Sequence, residues 1–288
     1  MSDIVNNLFD FIASKNLDKE KSLKGIAKKP VDLSKKSREI DKMTPSELFI
    51  SVRNYAGEYI QQIMKTKENC HWIKSEMTRP FFDHFNFRYE NQVFSILIDI
   101  VDFNNNSLIP PEFIKRQLGE SKKNNLIPCT FRVKVADMSE PIYETVEDGW
   151  NLIHTETKNE IIPEELISDK KVLMSEWELH NFALMQMRYI MKQSNIEIMS
   201  FQDIIGVDPQ LWYRDENGNQ CWVVIRHYTD EKKIEKPKDL TEITRRCFKF
   251  SGYFAGFVFS SNTGGKKIYR GDSIGVRFLG LEKIHTFM

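Results

Sequence analysis

DPQLWYRDENGNQCWVVIRHY, residues 208–228, decides how the rest of the chain is read. Asp208 stands ahead of a short alternating run, Leu211–Arg214. Asp215-Glu216-Asn217-Gly218-Asn219 is turn chemistry, because Asn and Gly tolerate the left-handed backbone that a tight reversal needs. A second apolar run follows and ends in Arg226 and His227. Successive strand residues face opposite ways, so these two side chains point to opposite faces of a sheet. The stretch therefore predicts a β-hairpin carrying an acid at its entrance and a cation at its exit.

Residues 175–194 place Trp177, Leu184, Met187 and Met191 on one helical stripe, flanked by Ala183, Tyr189 and Ile190. Ser175 and Glu178 have the spacing of a capping box. The Met-rich stripe reads as core packing. Residues 196–201 begin a sheet, a helix is expected over 239–250 and an apolar strand over 252–261. Asn262-Thr263-Gly264-Gly265 then turns the chain into a closing hairpin or final strand pair.

The same order occurs earlier. Thr44, Pro45 and Glu47 open a helix that runs to residue 64, with Leu48, Val52, Tyr55, Tyr59 and Ile63 on its apolar face. Two strands, 85–89 and 92–101, turn through Glu90-Asn91. The second is nearly continuous in Val, Ile, Leu and Phe, as a strand covered on both faces would be. A helix from Pro110-Pro111 and a strand over 126–135 complete the set. The expected fold is therefore α/β, two tandem helix–hairpin–helix–strand units with mixed sheets. A true duplication and a coincidence of two common layouts both remain open.

Residues 1–43 form an N-terminal helix and a basic arm, 44–136 the first unit, 137–170 a connector and 171–288 the second unit. The arm holds ten Lys/Arg against five Asp/Glu over residues 15–42, and suits either a solvated linker or a contact with nucleic acid. The connector holds ten Asp/Glu against one Lys over residues 137–169, and is expected to wrap the surface.

Whole-chain composition excludes more than it selects. Hydrophobic residues make up 41% of 288, enough for a substantial core. Forty-one Lys/Arg balance forty-one Asp/Glu, so no global field draws the chain to a polyanion or a membrane, and a nucleic-acid partner would need a local patch. Cys70, Cys129, Cys221 and Cys247 lack metal-ligand spacing. No apolar run reaches the ~18–20 residues of a membrane span, and the chain reads as cytoplasmic. P-loop, G-x-G-x-x-G and G-x-S-x-G patterns are absent from the sequence.

With Asp208 before one strand, an apolar strand after it and a helix on either side, residues 175–261 resemble the restriction-endonuclease-like PD-(D/E)xK superfamily. The resemblance implies an Asp and a second acid that hold Mg²⁺, and a Lys that activates water on the scissile phosphate. Carried onto this chain, Asp208 is the metal ligand, Glu178 or Glu176 the supporting helix acid, and Arg226 stands at the Lys position. Val224 stands at the acid position and cannot bind a metal. Arginine cannot serve as a base near neutral pH.

Three functions follow as expectations. The leading one is a nucleic-acid-associated protein with a degenerate nuclease-like core, of a kind suited to phage defence or a mobile element. Its phosphate contacts would come from Lys232, Lys233, Arg245, Arg246, Lys266, Lys267 and Arg270. The second is a non-enzymatic subunit with a protein partner. The third is an active Mg²⁺-dependent nuclease whose missing acid has moved to Glu242. The nuclease mapping requires Glu178, Asp208 and Arg226 in one cleft. The plain alternative is that Arg226 makes an internal ion pair with Glu178 or Asp208.

Overall fold

In a computed structural model the described residues are 47–76, 85–101, 106–137, 142–230, 236, 240–262 and 267–284. The expected N-terminal helix and basic arm, the Thr44-Pro45 helix start, Lys232, Lys233 and Lys266 lie outside them. The chain divides into two units, one reaching Tyr89 and resuming over Val93–Leu166, the other made of Glu90–Gln92 and Ile167–Met288.

The first unit opens with α1, Glu47–Met64. Val52, Ala56, Ile60 and Met64 recur every four residues and are buried, which gives the helix one core-facing stripe. β1 (Cys70–Lys74) pairs antiparallel with β2 (Phe85–Tyr89). β2 turns through Glu90-Asn91, with Glu90 at φ 50°, into its neighbour β3 (Gln92–Val101). Val93–Asp99 of β3 are all buried, in accord with its unbroken apolar sequence. α2 (Pro111–Asn124) crosses over to β4 (Ile127–Asp137), which runs parallel to β3.

The expected acidic connector is instead part of this sheet. β5 (Ile142–Thr145) and β6 (Leu152–His154) both pair antiparallel with β4, and α3 (Pro163–Leu166) follows. The acids hid this role because the few residues that matter are single buried ones, Trp150 and Leu152 among them. A buried polar network ties the segment in. Thr155 Oγ1 donates to Gln117 Oε1 at 2.8 Å, and Gln117 Nε2 donates to the carbonyls of Ser95 and Cys129 at 2.7 and 2.9 Å.

The second unit repeats the order. α4 spans Glu176–Gln193 and begins in the expected capping box, with Ser175 and Glu178 each satisfying the other's backbone amide. β7 (Glu197–Phe201), β8 (Leu211–Arg214) and β9 (Gln220–Tyr228) form an antiparallel meander. The turn between β8 and β9 is organised by Asp215, whose Oδ1 accepts from the amides of Asn217 and Asn219, with Gly218 at φ 78°. α5 (Leu240–Arg246) crosses to β10 (Ser251–Ser261), parallel to β9, and β11 (Ile274–Ile284) closes the sheet antiparallel to β10. Residues 267–284 therefore supply one strand, not a pair. The strand orders β1-β2-β3-β4-β5 and β11-β10-β9-β8-β7 describe the same path walked twice.

The alternation of β9 feeds two cores. Cys221, Val223 and Ile225 pack with Leu179, Ala183, Leu184, Met187 and Met191 of α4. Trp222 and Val224 pack with Ile243 of α5 and Phe254 of β10. Among the described residues no helix is long and apolar enough to cross a membrane.

Candidate functional site

Asp208 lies just before β8, on the amino side of a cis Asp208–Pro209 peptide, and Arg226 lies toward the carboxyl end of β9. They meet in a bidentate pair, Nη1 to Oδ1 at 2.9 Å and Nη2 to Oδ2 at 2.6 Å. The Asp208 side chain is 2% exposed and that of Arg226 27%. Gln210, fully buried, donates from Nε2 to Asp208 Oδ1 and to the Val207 carbonyl, while its Oε1 accepts from the amide of Ile225. Burial pushes the Asp208 carboxyl up, but Arg226, with help from Gln210, outweighs it and holds the group below its ordinary value. Both carboxylate oxygens are thus committed inside the protein.

Glu178 does not join this pair. At the third position of α4 its carboxylate turns back to cap the helix, and it also accepts from Arg270, Nε to Oε1 at 2.8 Å and Nη2 to Oε2 at 2.8 Å. Those side chains are 0% and 1% exposed. The segment before the helix aligns this contact: Arg270 N donates to Val172 O, and Met174 N to Ile268 O. Two expectations are corrected here. Glu178 is not a cleft acid beside Asp208 and Arg226, and Arg270 is a buried structural cation with no face for phosphate.

Glu176, the other helix acid the resemblance offered, meets His227 instead. Its Oε1 lies 3.0 Å from Nε2 of His227. His227 turns from β9 toward α4, on the face opposite Arg226, and stands 6.2 Å ring to ring from His180, one helical turn after Glu176. The approach of His227 holds the Glu176 carboxyl down against its partial burial. Burial pushes the His180 imidazole down to about 4, aided by His227 and Arg226 and opposed by Asp203 and Glu176. Alternation put His227 on one face of its strand, but its approach to Glu176 and His180 carries no sequence signal, because partners from a helix and a strand share no sequence period.

Glu242, the proposed migrated acid, accepts from Nε and Nη2 of Arg245, both at 3.0 Å, on its own exposed helix. Its partners are Arg245 and Arg246, not Asp208. Among the described residues no group of three His, Cys, Asp or Glu side chains is placed to hold a metal ion. With Val224 buried at the acid position and Asp208 saturated by Arg226, the donor set does not fit Mg²⁺.

Among the described residues, the expected phosphate contacts do not form one surface. Lys267 is exposed in the turn after the carboxyl end of β10, whereas Arg245 and Arg246 precede its amino end. At that amino end Cys221 pairs with Ser251, about 16 Å along β9 from Arg226 at the usual strand rise. The turn Arg245-Arg246-Cys247-Phe248-Lys249-Phe250 is exposed except for the half-buried Cys247. Ile243, 0% exposed, anchors it from the helix, and Phe250 meets Trp212 of β8 edge to face at 5.4 Å. Cys247 N donates to Ile243 O and Phe250 N to Cys247 O, both at 3.0 Å.

A family model described as a domain of unknown function, DUF8840, matches residues 177–284, which lie within the second unit. Comparison with curated proteins and with solved structures found no match.

Proposed function

We propose that the second unit is a non-cleaving nucleic-acid-binding module built on a nuclease-like framework. The order helix, three-strand meander, crossover helix and parallel strand supports the framework. The observation that carries the reading is the division of its cations. Arg226 and Arg270 are held in pairs that also occupy the buried Asp208 and Glu178, while Arg245 and Arg246, which share the exposed Glu242, and Lys249 stand exposed on one anchored turn. A site without free carboxylates cannot place a metal on a scissile phosphate, but an exposed cationic turn suits phosphate contact.

Filter binding of the full chain to DNA and RNA oligonucleotides across a salt series tests this. The expected result is an affinity that falls as salt rises, with a log–log slope near −2 for about two to three phosphate contacts. Incubation of the same oligonucleotides with Mg²⁺ is expected to leave them intact. Metal-dependent cleavage abolished by Asp208→Ala would restore the nuclease reading instead.

A protein partner is the second reading, favoured by β11. This eleven-residue strand lies at the edge of its sheet with Val276, Leu279 and Leu281 exposed at 40%, 40% and 36%. Such edges accept added strands. Salt-independent capture of a polypeptide together with no oligonucleotide affinity would favour it.

A further inference from the structure

The turn after α5 is aromatic as well as cationic. Phe248 is 67% exposed, more than any other large hydrophobic residue among those described, and Phe250 beside it is 36% exposed. Arginines in the last helical turn complement the helix dipole, so Arg245 and Arg246 have an ordinary reason to be there. The dipole gives no reason for an exposed phenyl ring two residues later. Nor does the core: Ile243 and the Trp212–Phe250 contact already hold the turn to the sheet. The Lys249 ammonium sits 5.7 Å from the Phe248 ring centre. Arg245, Arg246 and Lys249 outnumber the Glu242 carboxylate, so the turn is a positive patch on a chain whose total charge is zero.

We propose that Phe248 is a stacking platform for an unpaired base, and that the module binds single-stranded nucleic acid with Arg245, Arg246 and Lys249 on the flanking phosphates. This rests on the reading of the unit as a nucleic-acid binder and names its ligand class. A duplex hides its base faces in the stack and gives an exposed ring nothing to cover, whereas a single strand offers both a ring face and phosphates within a few ångströms. α5 has seven residues, about 10 Å, too short to lie along a groove as a recognition helix does. A lone ring with three cations also buries too little apolar area to hold a membrane surface by itself.

The test is fluorescence anisotropy of the full chain with a labelled fifteen-nucleotide single strand, with the duplex of the same length, and with vesicles of phosphatidylcholine and phosphatidylglycerol. Phe248 is exposed, so Phe248→Ala should fold as the parent does. It is expected to weaken single-strand binding by about tenfold with the salt slope unchanged, as removal of base stacking would. Phe248→Trp should retain binding. Arg245→Gln with Arg246→Gln should instead flatten the slope by about 0.7 for each phosphate no longer neutralised. Tyr189→Ala, exposed on α4, should change neither. Equal affinity for duplex and single strand with Phe248→Ala silent would overturn the stacking role while leaving nucleic-acid binding in place. Absence of binding to every oligonucleotide would overturn both, and vesicle binding in its place would assign the turn to an anionic lipid surface.

Discussion

Arg226 grips Asp208 from eighteen residues away through two parallel hydrogen bonds of 2.9 and 2.6 Å. The pair replaces what a metal site would need: a free carboxylate becomes an internal counter-ion. The two partners are unequally buried, at 2% for Asp208 and 27% for Arg226.

That inequality makes an asymmetric prediction. Arg226→Ala strands a buried carboxylate and should cost about 3 kcal/mol, whereas Asp208→Ala leaves a guanidinium that can reach water and should cost about 1 kcal/mol. Urea midpoints measure both; equal costs would mean that the pair is looser than its geometry. Because the native Asp208 carboxyl is held below its ordinary value, its contribution is present above the unfolded carboxylate value near 3.9 and is lost as pH falls through the lower native value. Asp208→Asn should flatten that acid limb.

Glu178 and Arg270 should behave as a single unit. Either Glu178→Ala or Arg270→Ala leaves one fully buried charge and should cost about 3–5 kcal/mol, while Glu178→Leu with Arg270→Met together should cost less than either. A double-mutant cycle on thermal unfolding reads the coupling. Additive losses would show that the two side chains do not depend on each other.

His180 predicts a pH dependence of opposite origin. Its native imidazole stays neutral until about 4, whereas the unfolded one takes a proton near 6.5, so acid favours the unfolded chain. Stability should be complete above pH 6.5, fall by about 3 kcal/mol between pH 6.5 and 4, and level off below that range. His180→Gln should remove this limb in urea titrations at stepped pH. An unchanged limb in that variant would place the proton uptake elsewhere.

Gly252 sits against Trp222, and a Cβ there would fall 2.1 Å from the indole Cζ2. Trp222 is 1% exposed and has no room to retreat, so Gly252→Ala should cost about 2 kcal/mol or more. Gly119→Ala on α2, with nothing within 4 Å, should instead stabilise by about 0.5–1 kcal/mol. Differential scanning calorimetry separates the two signs.

Much of the architecture was written in local patterns. The Ser175–Glu178 capping box, the Glu90-Asn91 and Asp215–Asn219 turns and the buried run of β3 each follow from chemistry within a few residues, and each determined an element. The repeated order was legible for the same reason. β5 and β6 were not, because they are only four and three residues long and ten acids are scattered among the short apolar pieces of residues 137–169. The site was legible only as residue types. Asp208, Glu178, Arg226 and Arg270 stood out in the sequence, but who faces whom is a long-range question. The tertiary structure decided it by bringing Arg270 to Glu178 across ninety-two residues and leaving Arg226 to Asp208. Buried charges must find counter-charges wherever the fold places them. The stretch 208–228 therefore determined a hairpin by itself, while the pairing of its terminal charges came from the packing around it.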